Sequence, residues 1–214
     1  MPKETFFNLA EEKREKIIRS AIHEFVEHGY EKGNIGDIAK AAGVSKGSMY
    51  QYFEDKKELF NYAVKWSLEM MTKKFNNYSA ENDGLKNIFE FYLKNLKDIW
   101  IKMTEEREVV IFVEDVFLGK YNKVADEMIA YMMKMSEAQT LMYIQAGKRE
   151  GYIRQDMDDK ILSLFMTSVT MSIKSHIMNR AREKGADIVS EDFEVIRQEL
   201  LAMLELLKNG MGAK

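Results

Sequence analysis

No cysteine occurs in the 214 residues. Disulfides, thiol nucleophiles and cysteine-ligated zinc are therefore excluded. Proline occurs once, at Pro2, where it is expected to lie outside any structure, so long uninterrupted helices are permitted throughout. The three histidines, His23, His28 and His176, show no metal-ligand spacing, and neither metal nor cofactor is expected. H-E-x-x-H, G-x-S-x-G and a phosphate-binding glycine loop are missing as well, which argues against an enzyme. The N-terminus has no apolar run of signal-peptide length, and nothing is expected to approach a membrane span, so the cytoplasm is the expected location. An excess of positive charge is also lacking. The formal net charge is −3, and residues 1–60 hold ten basic side chains against eleven acidic ones. DNA-binding domains usually carry a basic footprint. Any DNA contact must therefore come from local placement of Lys46, Lys56 and Lys57, with weak and salt-sensitive non-specific affinity.

What the chain does have is a dense set of helix starts and stops between residues 33 and 56, GNIGDIAKAAGVSKGSMYQYFEDK. Asn34 is a good N-cap, because its side-chain oxygen can accept from free N–H groups of the first turn. Ile35, Ile38, Ala39 and Ala42 then recur at helical spacing. Gly43 follows as a stop where a residue without Cβ can take positive φ. Ser45 caps a second helix from Lys46 to about Phe53. A capped pair of short helices broken by glycine is a helix-turn-helix, which presents its second helix to the DNA major groove.

The flanks make the motif specific. With EKREKIIRSAIHEFVEHGY before it and DKKELF after it, the segment from about residue 10 to 62 resembles the N-terminal domain of the TetR family of bacterial transcriptional regulators. EGYIRQDMD at 150–158 looks like the start of that family's penultimate helix. Gly33 and Gly36 depart from the pattern, which usually has Thr and a longer polar or basic residue there. Gly36 costs about 1 kcal/mol of helix propensity relative to Ala and offers a phosphate no side chain. The resemblance implies an all-α protein. A three-helix DNA-binding domain (1–54) would precede a larger domain (55–214) that dimerises and binds a small molecule.

Periodicity places about nine helices. The first is expected from about Leu9 to His28, with Asn8 and Glu11 as a capping box, a buried stripe of Ile17, Ile18, Ala21, Ile22 and Phe25, and a stop at Gly29. The fourth starts at the D-K-K-E box of Asp55. A polar break at 79–84 precedes the fifth, about 85–102. TEEREVVIFVEDVFLG at 104–119 has a strand-like apolar run, but the helical context favours a helix buried nearly all round. Long helices follow over about 122–150, 158–184 and 190–210, the last capped by Ser190.

On the second motif helix Lys46, Gly47 and Ser48 form the exposed first turn. Gly47 lets backbone approach a phosphate, and Ser48 can bond a phosphate or a base edge. Met49 and Phe53 should face the core, leaving Gln51 with an amide able to read adenine. By resemblance Tyr50, Tyr52 and Lys56 contact phosphates, or, for Tyr50, a thymine methyl. The alternatives are rim packing for the tyrosines and a solvated lysine. With Asn34, these are the candidate DNA-binding residues.

Elsewhere the signal is thinner. Met128, Met132, Met135, Gln139, Met142 and Ala146 fall on one stripe, which suits either plain core or an adaptable apolar pocket. Gln139 is expected to be buried with a partner. Tyr92, Phe112, Gln139, Met142, Tyr143 and His176 are the candidate effector pocket, and a largely apolar effector is expected. Phe193, Ile196, Leu200, Met203, Leu204 and Leu207 form a seam near coiled-coil spacing. Small residues, among them Ser172, let the preceding helix pack closely, with Phe165 beside them. A core and a dimer interface both fit; the resemblance favours a homodimer through the last two helices. The function expected is a ligand-responsive repressor released from a palindromic operator. The competing reading is a helical dimeric protein-binding or structural module without specific DNA binding.

Overall fold

Local capping chemistry sets most element boundaries. The computed structural model describes residues 1–76 and 88–209, with the backbone alone for residues 75, 76, 88–95, 122, 123 and 208. All regular structure among them is helical. The order is α1 (Glu4–Phe7), α2 (Glu11–Lys32), α3 (Ile35–Ala42), α4 (Lys46–Tyr52), α5 (Lys56–Asn76), α6 (Ile88–Glu105), α7 (Arg107–Phe117), α8 (Asn122–Arg149), α9 (Asp159–Glu183), a 3-10 turn (Ile188–Ser190) and α10 (Phe193–Asn209). Within the ambiguous segment at 104–119 the apolar run is helical, as α7, with Val109, Val110, Phe112 and Val116 buried; residues 104 and 105 end α6, and turns lie at 106 and 118–119. The polar break at 79–84 and the side chain of Tyr92 lie outside the described residues.

Contacts divide the chain into two compact units, residues 1–74 with 106–132, and residues 75–105 with 133–214. The first unit is built on the α2 stripe. Ile17, Ile18, Ala21, Ile22 and Phe25 are fully buried and pack with Ile38, Met49, Leu59, Phe60 and Phe112 in one cluster. An aromatic floor closes it. The Phe25 ring lies 5.3 Å from Phe60 and 6.2 Å from Phe112, and Tyr121 stands 5.2 Å from Phe60. Edge-on and offset pairs at these distances contribute beyond their buried area. The Tyr121 hydroxyl donates to the Phe25 carbonyl at 2.9 Å. Polar groups tie the same elements: Arg19 bonds Glu15 at 2.7 Å and Glu106 at 2.8 Å, and Lys74 also bonds Glu106. Burial pushes the Glu106 carboxyl up, but the bonds and charges of Arg19 and Lys74 outweigh it and hold the group below its usual range.

The N-terminal segment corrects the sequence reading. Pro2 lies outside every helix as expected, but it is buried, and a four-residue helix precedes α2. Phe6 is fully buried against Phe53 at 4.9 Å and Tyr62 at 5.3 Å. Asn8 closes α1, while α2 begins after Ala10 with no side-chain cap. The glycine stop is real in a different form: Gly29 has φ 74°, and the chain resumes helical turns to Lys32. The Asp55 box forms as expected, since Asp55 Oδ1 accepts from the Glu58 N–H at 2.7 Å.

In the second unit α9 starts at Asp158, whose carboxylate accepts from two first-turn N–H groups. α10 is capped by Asp192, whose Oδ1 accepts from Glu194 N–H at 2.8 Å. Ser190, the expected cap, sits in the 3-10 turn. Trp100 and Phe193 pack with centroids 5.9 Å apart. Contrary to the sequence reading, α9 is long and apolar enough to cross a membrane by length and composition, with a mean hydropathy of 1.2 and 17% of that window buried. Its outer face leaves Ile161, Leu164 and Phe165 exposed by 55%, 67% and 54%.

Candidate nucleic-acid interface

Asn34 Oδ1 accepts from Gly36 N–H at 2.7 Å and starts α3. At the other end Gly43 takes φ 71° and ψ 36°, and Val44 N–H returns to the Ala39 carbonyl at 2.9 Å. This is a glycine C-cap, in which positive φ turns the chain so that the last carbonyls find donors. Ser45 then caps α4, accepting from Ser48 N–H at 3.0 Å. Met49 and Phe53 are buried, so the opposite face of α4 is fixed outward. Lys46, Gly47, Tyr50 and Gln51 are exposed, while Ser48 and Tyr52 are half-buried. Ser48 shares a hydroxyl contact with Ser45 at 2.8 Å, and Tyr52 lies 6.1 Å from the Phe6 ring.

The two departures from the family pattern differ in how much space surrounds them. A Cβ at Gly33 would stand 3.0 Å from the Gly29 carbonyl oxygen and 3.1 Å from the Phe25 ring. The kink at Gly29 thus leaves no space for Thr there. At Gly36 a Cβ would meet Asn34 Oδ1 at 3.2 Å, a tight contact that a small shift of the cap side chain would ease. Gly47 is different, because a Cβ would find only Ser45 Oγ, at 3.7 Å. Among the described residues nothing demands glycine at that exposed turn.

Lys56 does not sit as expected for a phosphate contact. Its Nζ donates to the carbonyls of Tyr30 at 2.7 Å, Gly33 at 3.1 Å and Glu31 at 3.2 Å, and lies 4.6 Å from the Tyr30 ring centroid. An ammonium has three donors, and all three are committed to the end of α2. Lys32, which the sequence reading passed over, is exposed and borders the same concavity as Asn34, Lys46 and Tyr50. Its signal was available as a basic residue just before the Gly33 break.

Of the expected pocket residues, Phe112 falls in the first unit and Gln139, Met142, Tyr143 and His176 in the second. Phe112 is core of the first unit. Gln139 is exposed rather than buried, and donates to the Tyr143 hydroxyl at 3.0 Å. Met142 is 57% exposed. His176 is exposed on α9, 3.9 Å from Glu199. A stripe fixes which residues share a face, not which face turns inward, and here the methionine stripe runs from buried Met128 to exposed Met142. Of the seam, Ile196 is buried within its own unit and so is removed from the surface open to a partner; Leu200, Met203, Leu204 and Leu207 are half-buried, and Ser172 and Phe165 exposed.

These elements define a helix-turn-helix DNA-binding protein. Residues 17–63 match the family model described as bacterial regulatory proteins, tetR family. That match takes in α3, α4 and the parts of α2 and α5 that flank them. The chain is 24% identical over 171 residues to the "Probable acrEF/envCD operon repressor" of Escherichia coli (strain K12), covering 78% of this chain and 77% of that protein. It is 31% identical over 107 residues to IcaR of Staphylococcus aureus (strain Newman), the biofilm operon icaADBC HTH-type negative transcriptional regulator, covering 47% and 52%. Among solved structures, a TetR family transcriptional regulator from Chloroflexus aurantiacus J-10-FL superposes with a TM-score of 0.62 at 27% identity, covering 100% of both chains. FadR from Bacillus subtilis in complex with stearoyl-CoA shares the fold, with a TM-score of 0.64 at 18% identity over 92% of this chain and 99% of that one.

Proposed function

We propose that this protein is a ligand-responsive transcriptional repressor, with residues 1–54 reading DNA and residues 55–214 carrying dimerisation and effector binding. The observation that carries the reading is α4: a capped helix anchored by Met49 and Phe53, with Lys46, Gly47, Tyr50 and Gln51 outward. Lys46 and Lys32 would take phosphates, and Gln51 and Tyr50 would face bases. The exposed Ile161, Leu164 and Phe165 of α9, with Val195 and Leu206 of α10, support a homodimer, since an apolar surface of that kind on a soluble chain calls for a partner. Two reading helices about 34–36 Å apart would meet successive major grooves of a palindromic site.

The effector is a largely apolar small molecule. Fatty acyl-CoA thioesters are the first compounds to try, given the stearoyl-CoA bound by the fold relative. To switch a two-state dimer from 1:99 to 99:1, such a ligand must prefer the released state by about 5.5 kcal/mol. Footprinting and gel shifts on the regions upstream of the chain's own gene and its neighbours test the DNA reading. The expected result is a protected palindrome, and absence of any retarded band at low salt refutes it. Sedimentation tests the dimer, and Phe165→Glu is expected to give monomers. A wild-type monomer refutes the dimer.

A further inference from the structure

The last turn of a helix leaves carbonyls without N–H partners of its own. In α4 these include Tyr50, Gln51 and Tyr52, at the end of the helix read above as facing DNA. All three are taken by one short stretch of chain. Lys3 N–H donates to the Tyr52 carbonyl at 2.8 Å, Lys3 Nζ to that of Tyr50 at 2.9 Å, and the Thr5 hydroxyl to that of Gln51. One turn further on, Phe6 is fully buried beside Tyr52 and Phe53. α1 carries no side-chain cap of its own; what it does carry is a set of donors matched to three consecutive acceptors.

We infer that residues 3–6 are a positioning clamp for the DNA-reading helix, with Thr5 and Lys3 as its specificity-setting residues. α4 has only seven residues, and a helix that short has little rigidity of its own. Without the clamp its last turn, which bears Tyr50, Gln51 and Tyr52, would fray. The Lys3 ammonium has a second effect. The C-terminus of a helix carries partial negative charge, which would repel a phosphate backbone, and a cation at the Tyr50 carbonyl offsets it. Base reading needs side chains held in register, whereas phosphate attraction does not. The clamp therefore acts on specific binding far more than on general affinity for DNA.

This inference rests on the reading of α4 as the DNA-contacting helix, and the test separates the two. Full-length wild type, Thr5→Ala and Thr5→Ser are titrated by fluorescence anisotropy against a duplex selected from genomic fragments with the wild type, and against its scrambled counterpart. Loss of one such bond is worth about five-fold in an equilibrium. Thr5→Ala removes the bond from both subunits of the dimer, so it should weaken the selected site by about five-fold per subunit, about twenty-five-fold in all, and the scrambled one less than two-fold, with Thr5→Ser restoring the difference. Hydrogen exchange without DNA should show faster exchange at the α4 amides in Thr5→Ala alone. Wild type that binds neither duplex refutes the DNA reading. Wild type that binds while Thr5→Ala matches it, or loses both duplexes equally, or exchanges at wild-type rates in α4, overturns the clamp and leaves the DNA reading standing.

Discussion

Replacing Lys56 by methionine separates two roles that the sequence and the structure give this residue. Methionine keeps most of the stem and removes the ammonium. Three carbonyls at the end of α2, those of Tyr30, Glu31 and Gly33, then lose a charged donor at 2.7–3.2 Å. Hydrogen bonds to charged groups contribute about 1.5–3 kcal/mol. The site is half-buried, so water recovers part of the loss, and about 2 kcal/mol is the expected cost. For a chain of this size that lowers the melting temperature by about 4–8 °C. The assay is thermal unfolding alongside DNA binding at several salt concentrations. A phosphate contact would show itself differently: at about 0.9 per contact, its loss from both subunits of the dimer lowers the slope of log affinity against log salt by about 1.8. The structure predicts a lower melting temperature with an unchanged slope. A Lys56→Met protein that melts with the wild type and loses about two units of slope would refute this account and restore Lys56 to the DNA.

Gly33→Ala forces a Cβ to 3.0 Å from a backbone oxygen, so it is expected to destabilise by about 1–3 kcal/mol, read by chemical denaturation. Gly47→Ala meets nothing closer than 3.7 Å. It should leave stability unchanged or raise it by up to about 1 kcal/mol, while operator binding falls because the methyl group stands between helix and phosphate; unaltered operator affinity would take Gly47 off the contact surface. His23 bonds Glu108 at 2.6 Å, and that bond raises its pKa above the ordinary 6.5. Its contribution is full below the unfolded pKa and fades as pH rises through the folded one. Because the ring is 61% exposed, the effect is small. His23→Gln should flatten the melting profile over that window, and an unchanged profile would exclude the pair.

Signals that act within four or five residues were readable from the chain alone. Asn34, Gly43, Ser45 and Asp55 each do what their side chain, or its absence, does in isolation, and the α2 stripe faces inward as its spacing requires. What escaped was tertiary. α1 has no capping signal and exists because Phe6 is buried and Lys3 and Thr5 find acceptors almost fifty residues away. Lys56 was assigned to DNA by the family resemblance, yet the folded chain offers it three carbonyls first. Gln139 lay on a stripe that shares a face, and nothing local told that this end of the stripe is open.

The aromatic floor under α2 has a consequence for how this protein can be cut and recombined. Phe112 and Tyr121 come from a part of the chain far beyond the helix-turn-helix, yet they seal Phe25 and Phe60. A fragment ending near residue 74 would therefore bare both of those aromatic surfaces to water, and one ending near residue 54 would lose Phe60 as well and bare Phe25; either would tend to aggregate. A chimera that borrows these DNA-reading residues for another sensor must bring residues 106–132 along, or rebuild that floor from the recipient's own side chains.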